Sequence, residues 1–123
     1  MSLIIKTPAD LEDEAKDRQK AAITARRDQA LQAGVTVGSV TISTDDTSQS
    51  RIIGAAVAVM DDPDVTVNWK GADGQFHTLD AATILAVART IRAHVQACFD
   101  REAELLADLK AGEPYDIDAG WPE

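Results

Sequence analysis

Cysteine is nearly absent from this chain, because Cys98 is the one cysteine among 123 residues. No disulfide can therefore form within the chain, and its stability must come from packing. Aromatic residues are also scarce, at 4% of the sequence. No apolar run has the length of a spanning helix, and the apolar stretch near the N-terminus is far too short for a signal peptide. We therefore expect a soluble protein made in the cytoplasm, with no membrane among its partners.

Positive charge is in short supply as well. Twelve Lys and Arg residues stand against 21 Asp and Glu residues, which gives a net charge of −9. A protein that binds nucleic acid needs a surplus of cations to contact phosphates, so this balance excludes nucleic acid as a general partner and favours a protein. The composition, with 45% apolar and 27% charged residues, is that of an ordinary globular chain. The length suits one compact unit.

The first part of the chain is predicted to be a long, charged helix. Thr7-Pro8-Ala9-Asp10 combines an N-cap residue, a proline suited to the first helical position and an acid suited to the positive helix end. Gly34 supplies the left-handed residue that ends many helices, so the helix can run from Pro8 to Ala33. Its few apolar side chains predict that it is largely exposed to water or faces a partner.

Short strands and a second helix are expected next. Residues 35–37 and 40–42 are rich in Val, Thr and Ile around Gly38-Ser39, a pattern typical of a strand broken by a bend or bulge. Several N-cap candidates at residues 44–47 then precede the apolar run that reaches Met60. We expect this second helix to be the most buried of the three.

A β-hairpin is the strongest local prediction. Residues 65–70 alternate in the manner of a strand, a turn containing glycine follows, and residues 75–78 return. Val67 and Trp69 lie on one face by the period of two, and that face should cover the core. Phe76 is the apolar side chain expected to join them from the returning strand.

The last helix is predicted to be the longest, from Ala81 to about Lys110. At 1.5 Å per residue it would be about 45 Å long, more than the roughly 30 Å span of a small domain. Its acidic C-terminal end should therefore overhang, leaving Leu105 and Leu109 exposed. We expect the first helix to cover them, within the chain or between chains.

Together these elements predict an α+β fold: a small antiparallel sheet built on a β-hairpin, packed against two helices, with a long N-terminal helix. We assign residues 1–34 to a charged helix for attachment or assembly, and residues 35–123 to the α+β domain with a docked C-terminal tail. The tail contains a large aromatic side chain in an acidic segment, which we expect to dock. The residues predicted to bind a partner, in the same chain or in another, are Leu11, Ile23, Leu105, Leu109 and Trp121.

One residue spacing suggests chemistry. His94, Cys98 and Glu102 follow one another at intervals of four, so neighbouring helical turns could present them to one metal ion. No second cysteine or nearby histidine completes a ligand set, and Cys98 is more simply a small core residue. We therefore predict no catalytic residue, no metal and no cofactor, which favours an interaction protein over a small metal-dependent enzyme.

Several stretches share their order and spacing with a known family. They are Arg27-Asp28 with Gly34, residues 44–52, residues 67–79, residues 94–99 with Glu102, and Gly120-Trp121-Pro122. Together, over roughly residues 26 to 122, they resemble a family from the tail gene clusters of tailed phages and prophages, catalogued as domain of unknown function 4376. The resemblance implies synthesis in the host cytoplasm, a place in the virion tail, and no assigned catalytic residue.

This resemblance leads us to expect a non-enzymatic phage tail-associated protein. It would attach or help assemble tail fibres or another tail-tip component, and it could act as a homo-oligomer. The alternative is a transient tail-fibre assembly chaperone that is absent from the mature virion. Composition does not separate the two.

Overall fold

The computed structural model describes residues 5–122 and contains three helices and two β-hairpins. Each hairpin is a separate two-stranded antiparallel sheet, so the predicted α+β fold is confirmed with two small sheets where one was expected. None of the helices within this range is both long enough and apolar enough to cross a membrane. In chain order the elements are α1 (Pro8–Leu31), β1 (Val35–Val37), β2 (Val40–Ile42), α2 (Asp46–Asp61), β3 (Val67–Lys70), β4 (Phe76–Leu79) and α3 (Ala81–Ala111).

Each helix begins where a side-chain oxygen can accept a hydrogen bond from a free backbone amide. Thr7 and Asp10 form a reciprocal capping box at the start of α1, with bonds of 3.0 and 3.2 Å. Asp45 and Asp80 cap α2 and α3 by accepting from the amide three residues later, at 2.7 and 2.9 Å. Gly112 ends α3 in the left-handed conformation, with φ of 72°.

The first hairpin is tighter than the sequence suggested. Val37 pairs with Val40, so the chain reverses within the two residues Gly38 and Ser39. The expected bend or bulge within a strand is therefore wrong, because a two-residue loop makes a full reversal between antiparallel strands. Gly38 has φ of 60°, which a side chain would disfavour.

The second hairpin forms where it was predicted and places Trp69 in the core. Phe76, however, is 71% exposed, so its predicted place in the core is wrong. Trp69 pairs with His77, and Lys70 pairs with Phe76. Because neighbouring positions on a strand point to opposite faces, Phe76 turns away from the core. Leu79, two positions beyond His77, supplies the buried apolar side chain instead.

A first apolar cluster joins both hairpins, α2 and the first half of α3. α3 contributes Ile84, Val87 and Ile91 to this cluster, and it contacts α2 and β1 directly. The buried members are Val35, Val40, Ile42, Ile52, Val59, Trp69, Leu79, Ile84, Val87 and Ile91.

A second apolar cluster joins α1 to the end of α3. Ile23 is buried against Leu105 and Leu109, and side chains of the C-terminal tail pack around them. The predicted pairing of the first helix with this end of α3 is thus made within one chain. The overhang was expected at the end of α3, but that end is covered. The first half of α1 extends beyond its contact with α3 instead, since no residue between 8 and 22 is buried.

Candidate functional site

The C-terminal end of α1 is held by two buried polar side chains. Thr44 Oγ1 donates to the carbonyl of Leu31 and accepts from the amide of Gly34 at 2.9 Å. His94 Nε2 lies 2.7 Å from the carbonyl oxygen of Ala30, so this nitrogen carries the proton and donates. The last carbonyls of a helix lack backbone partners, and these side chains supply the missing bonds.

His94, Cys98 and Glu102, the three residues considered as metal ligands, each contact other residues of the protein. Cys98 is fully buried beside His94, and this burial raises the pKa of its thiol. Glu102 accepts two hydrogen bonds from Arg27 Nη1, at 2.9 and 3.0 Å, and one from Thr24 Oγ1 at 3.1 Å. Across residues 5–122, no three His, Cys, Asp or Glu side chains converge as ligands of one ion.

The contact between Arg27 and Glu102 is a mostly buried ion pair that joins α1 to α3. Arg27 also lies over the ring of Phe99, 4.8 Å from its centroid. The pKa of Arg27 is raised, mainly by its hydrogen bond to Asp28 and to a smaller extent by that to Glu102. A charge-complementary contact therefore joins the two helices beside their apolar packing.

The C-terminal tail is docked on α1 and α3, as predicted. Trp121 Nε1 donates to the carbonyl of Ile117 at 2.7 Å, and the Arg26 guanidinium lies 5.3 Å from the indole centroid. Arg101 Nε donates to a tail carbonyl at 2.7 Å. A Cβ at Gly120 would lie 2.6 Å from that nitrogen, so Arg101 would have to move, and the φ of 83° at this position also favours glycine.

The structure separates the five residues that the sequence predicted to bind a partner. Ile23, Leu105 and Leu109 are buried against one another, so their contact is intramolecular and closed to an external partner. Trp121 packs beside them and is half-buried. Leu11 stands apart on the first half of α1, where it is exposed.

An exposed apolar face on α2 was missed. The helix has no charged residue from Ile52 to Met60, yet within it only Ile52 and Val59 are buried. Ile53, Val57 and Met60 are 62%, 62% and 73% exposed. The prediction that this helix is the most buried is therefore wrong, because one side of it is enough to close the core. We call Ile53, Val57 and Met60 the α2 apolar face.

A groove of about 370 Å³ runs between α2 and α3 beside this face. Arg89 and Arg92 are exposed on α3 at the edge of this region, and neither forms an ion pair within residues 5–122. Both features are visible in the sequence. The second helix has nine consecutive uncharged residues, from Ile52 to Met60, and the last helix has two arginines three positions apart. The α2–α3 groove is lined by Gln49, Ile52, Ile53, Ala88, Ile91, Arg92, Val95 and Gln96.

The fold is that of a small α+β protein. Buried polar side chains and an ion pair join α1 to the rest of the chain, and α2 exposes an apolar face. The chain belongs to the family described as Domain of unknown function (DUF4376), whose sequence model matches residues 14–120. This match confirms the resemblance to domain of unknown function 4376, and it begins earlier than the resemblance did, within the exposed half of α1. No curated protein and no solved structure matches the chain significantly.

Several residues of the stretches that carried the resemblance lie at the junction of α1 and α3, whereas residues 67–79 form the second hairpin on the first apolar cluster. Thr44 and His94 hold the end of α1, and Arg27 pairs with Glu102 one turn earlier. Gly34 has φ of 84°, and a Cβ there would lie 3.1 Å from the carbonyl oxygen of Ile42. These motif residues therefore have structural roles in this chain.

Proposed function

We propose that this chain is a non-enzymatic phage tail-associated protein that attaches or helps assemble tail fibres or another tail-tip component. The observation that carries the proposal is the α2 apolar face. A solvent-facing stripe of apolar side chains on a helix is typical of a surface that binds another protein. The phage tail setting is what the family resemblance implies.

The polar residues support a binding role over catalysis. His94 donates to a helix carbonyl, Cys98 is buried, and Glu102 is paired with Arg27. Each of these side chains therefore has a structural partner, whereas a catalytic group must be able to reach a substrate.

In this proposal the protein is made in the host cytoplasm and becomes part of the virion tail, and its partner is a tail or tail-fibre protein. A transient tail-fibre chaperone, absent from the mature virion, is the second candidate. It is favoured by the net charge of −9, because such a charge keeps a free chain soluble while its apolar face awaits a partner.

The test is a deletion of the gene in a phage or prophage that carries it, with electron microscopy and mass spectrometry of the particles. We expect deletion particles to lack fibres or another tip component. Stoichiometric presence of the protein in wild-type particles supports the structural role. Its absence there, together with co-purification with fibre protein before assembly, supports the chaperone. Complete and infectious particles from the deletion strain would refute both.

A further inference from the structure

We propose that the α2–α3 groove receives an amphipathic helix of the tail partner that carries acidic residues beside its apolar stripe. This inference rests on the proposed function, since it names the kind of segment that the partner presents. The groove offers this helix an apolar surface and a positively charged edge.

The apolar part is the shape of the surface. Ile53, Val57 and Met60 recur at intervals of four and three, so they form a stripe along one side of α2. The groove beside this stripe has apolar walls from both helices, including Ile91 and Val95 of α3. Two neighbouring helices with such a groove between them can accept the ridge of a third. A bound helix would cover side chains that are otherwise left in water.

The electrostatic part is the edge of the groove on α3. Arg92 lines the groove, and Arg89 lies beside it one helical turn earlier. Both are exposed, and they have no ion pair among the described residues. Two uncompensated arginines beside an apolar groove, in a chain with net charge −9, favour Asp or Glu on the occupant.

A second copy of this chain fits the groove less well. Its α2 would present the same apolar stripe, and between Ile52 and Met60 it has no acid to pair with Arg89 and Arg92. Asp46 and Asp61 lie at the two ends of the helix, away from the middle of the stripe. A symmetric contact through α2 would therefore leave the arginines of both copies without acidic partners.

The test uses two synthetic amphipathic peptides of about five helical turns. Both carry leucines at intervals of four and three, and their flanking positions are Glu in one and Lys in the other. Fluorescence anisotropy with the full-length chain should show the Glu peptide binding about tenfold more tightly than the Lys peptide, with a preference that weakens as salt rises.

The variants assign this preference to the groove. R89E/R92E should reverse it in favour of the Lys peptide, whereas R18E, a charge reversal on the exposed half of α1, should leave it unchanged. Val57→Asp and Met60→Glu should each weaken binding of both peptides at least about tenfold. Both positions are exposed, so the core is undisturbed. Phe76→Ser, an exposed apolar site on β4, is the matched control.

Equal affinity for the two peptides, no binding of either, or an unchanged preference in R89E/R92E would overturn the inference. A dimer of the wild-type chain that Val57→Asp dissociates, seen by analytical ultracentrifugation, would overturn it in favour of a second copy. The peptide assay contains no phage component. Fibreless deletion particles without peptide binding would therefore refute only the groove occupant, whereas complete deletion particles would refute the proposed function.

Discussion

At the scale of single residues, buried polar side chains determine how the two apolar clusters are joined. Thr44 and His94 are buried, and each supplies a hydrogen bond to the last turn of α1. A buried polar group that loses its partner costs more than the net gain of an ordinary hydrogen bond. The position of α1 therefore depends on a few bonds as well as on apolar contact.

Thr44→Val should destabilise the protein by about 2 to 3 kcal/mol, because valine keeps the shape but leaves the carbonyl of Leu31 and the amide of Gly34 unpaired. Urea unfolding followed by circular dichroism measures the change. Thr66→Val, at an exposed position, is the control and should change the stability by less than about 0.5 kcal/mol. Equal effects of the two substitutions would show that the Thr44 bonds contribute nothing specific.

At the scale of elements, the ends of the helices were the best predicted features, because their signals are local. Asp45, one of several N-cap candidates at residues 44–47, caps α2, Asp80 caps α3, and Gly112 ends α3. Burial was predicted less well, since the apolar run of α2 has no polar interruption that would mark its exposed side. The exposure of Phe76 depends on the register of the second hairpin, and the reversal at Gly38-Ser39 depends on the type of turn. A short sequence pattern determines neither.

The aspartate caps predict an acid-sensitive stability. Hydrogen bonds from Ser48 to Asp45 and from Thr83 to Asp80 lower the pKa of both carboxyls from the ordinary value of 3.8. A lowered pKa in the folded state gives stability that is fully present above pH 3.8 and is lost as the pH falls through the lower folded value. The double variant D45N/D80N keeps the cap acceptors but not their charge.

We therefore expect the urea midpoint of D45N/D80N to fall less than that of the wild type between about pH 5 and pH 2. The other carboxyls with lowered pKa, Asp10 and Asp73, remain in both proteins. Parallel pH dependences of the two proteins would show that these caps do not couple folding to protonation.

The docked tail makes a separate prediction. Removing residues 113–123 takes Tyr115, Ile117 and Trp121 from the second apolar cluster and exposes Leu109. Amide exchange should then accelerate in α1, while the second hairpin, which packs on the other cluster, stays protected. Unchanged protection of α1 in the truncated chain would show that the tail adds nothing to its docking.

At the scale of the whole molecule, some apolar surfaces are covered within the chain and others are exposed. The α1–α3 junction and the tail are joined by ion pairs and buried hydrogen bonds, so those surfaces are occupied within the chain. Four of the five residues predicted to bind a partner lie there, because the sequence identified their apolar character but not which contact would cover them. The α2 apolar face and the arginines beside it, by contrast, are exposed.

The proposed contact between the α2 apolar face and a tail component can be tested by complementing the deletion strain with Val57→Asp and, separately, with Phe76→Ser. Both residues are exposed and apolar, and they lie on different elements. We expect Val57→Asp to yield particles that lack fibres or another tip component in electron micrographs, and Phe76→Ser to restore complete particles. Complete, infectious particles from the Val57→Asp strain would show that the α2 apolar face does not bind a tail component.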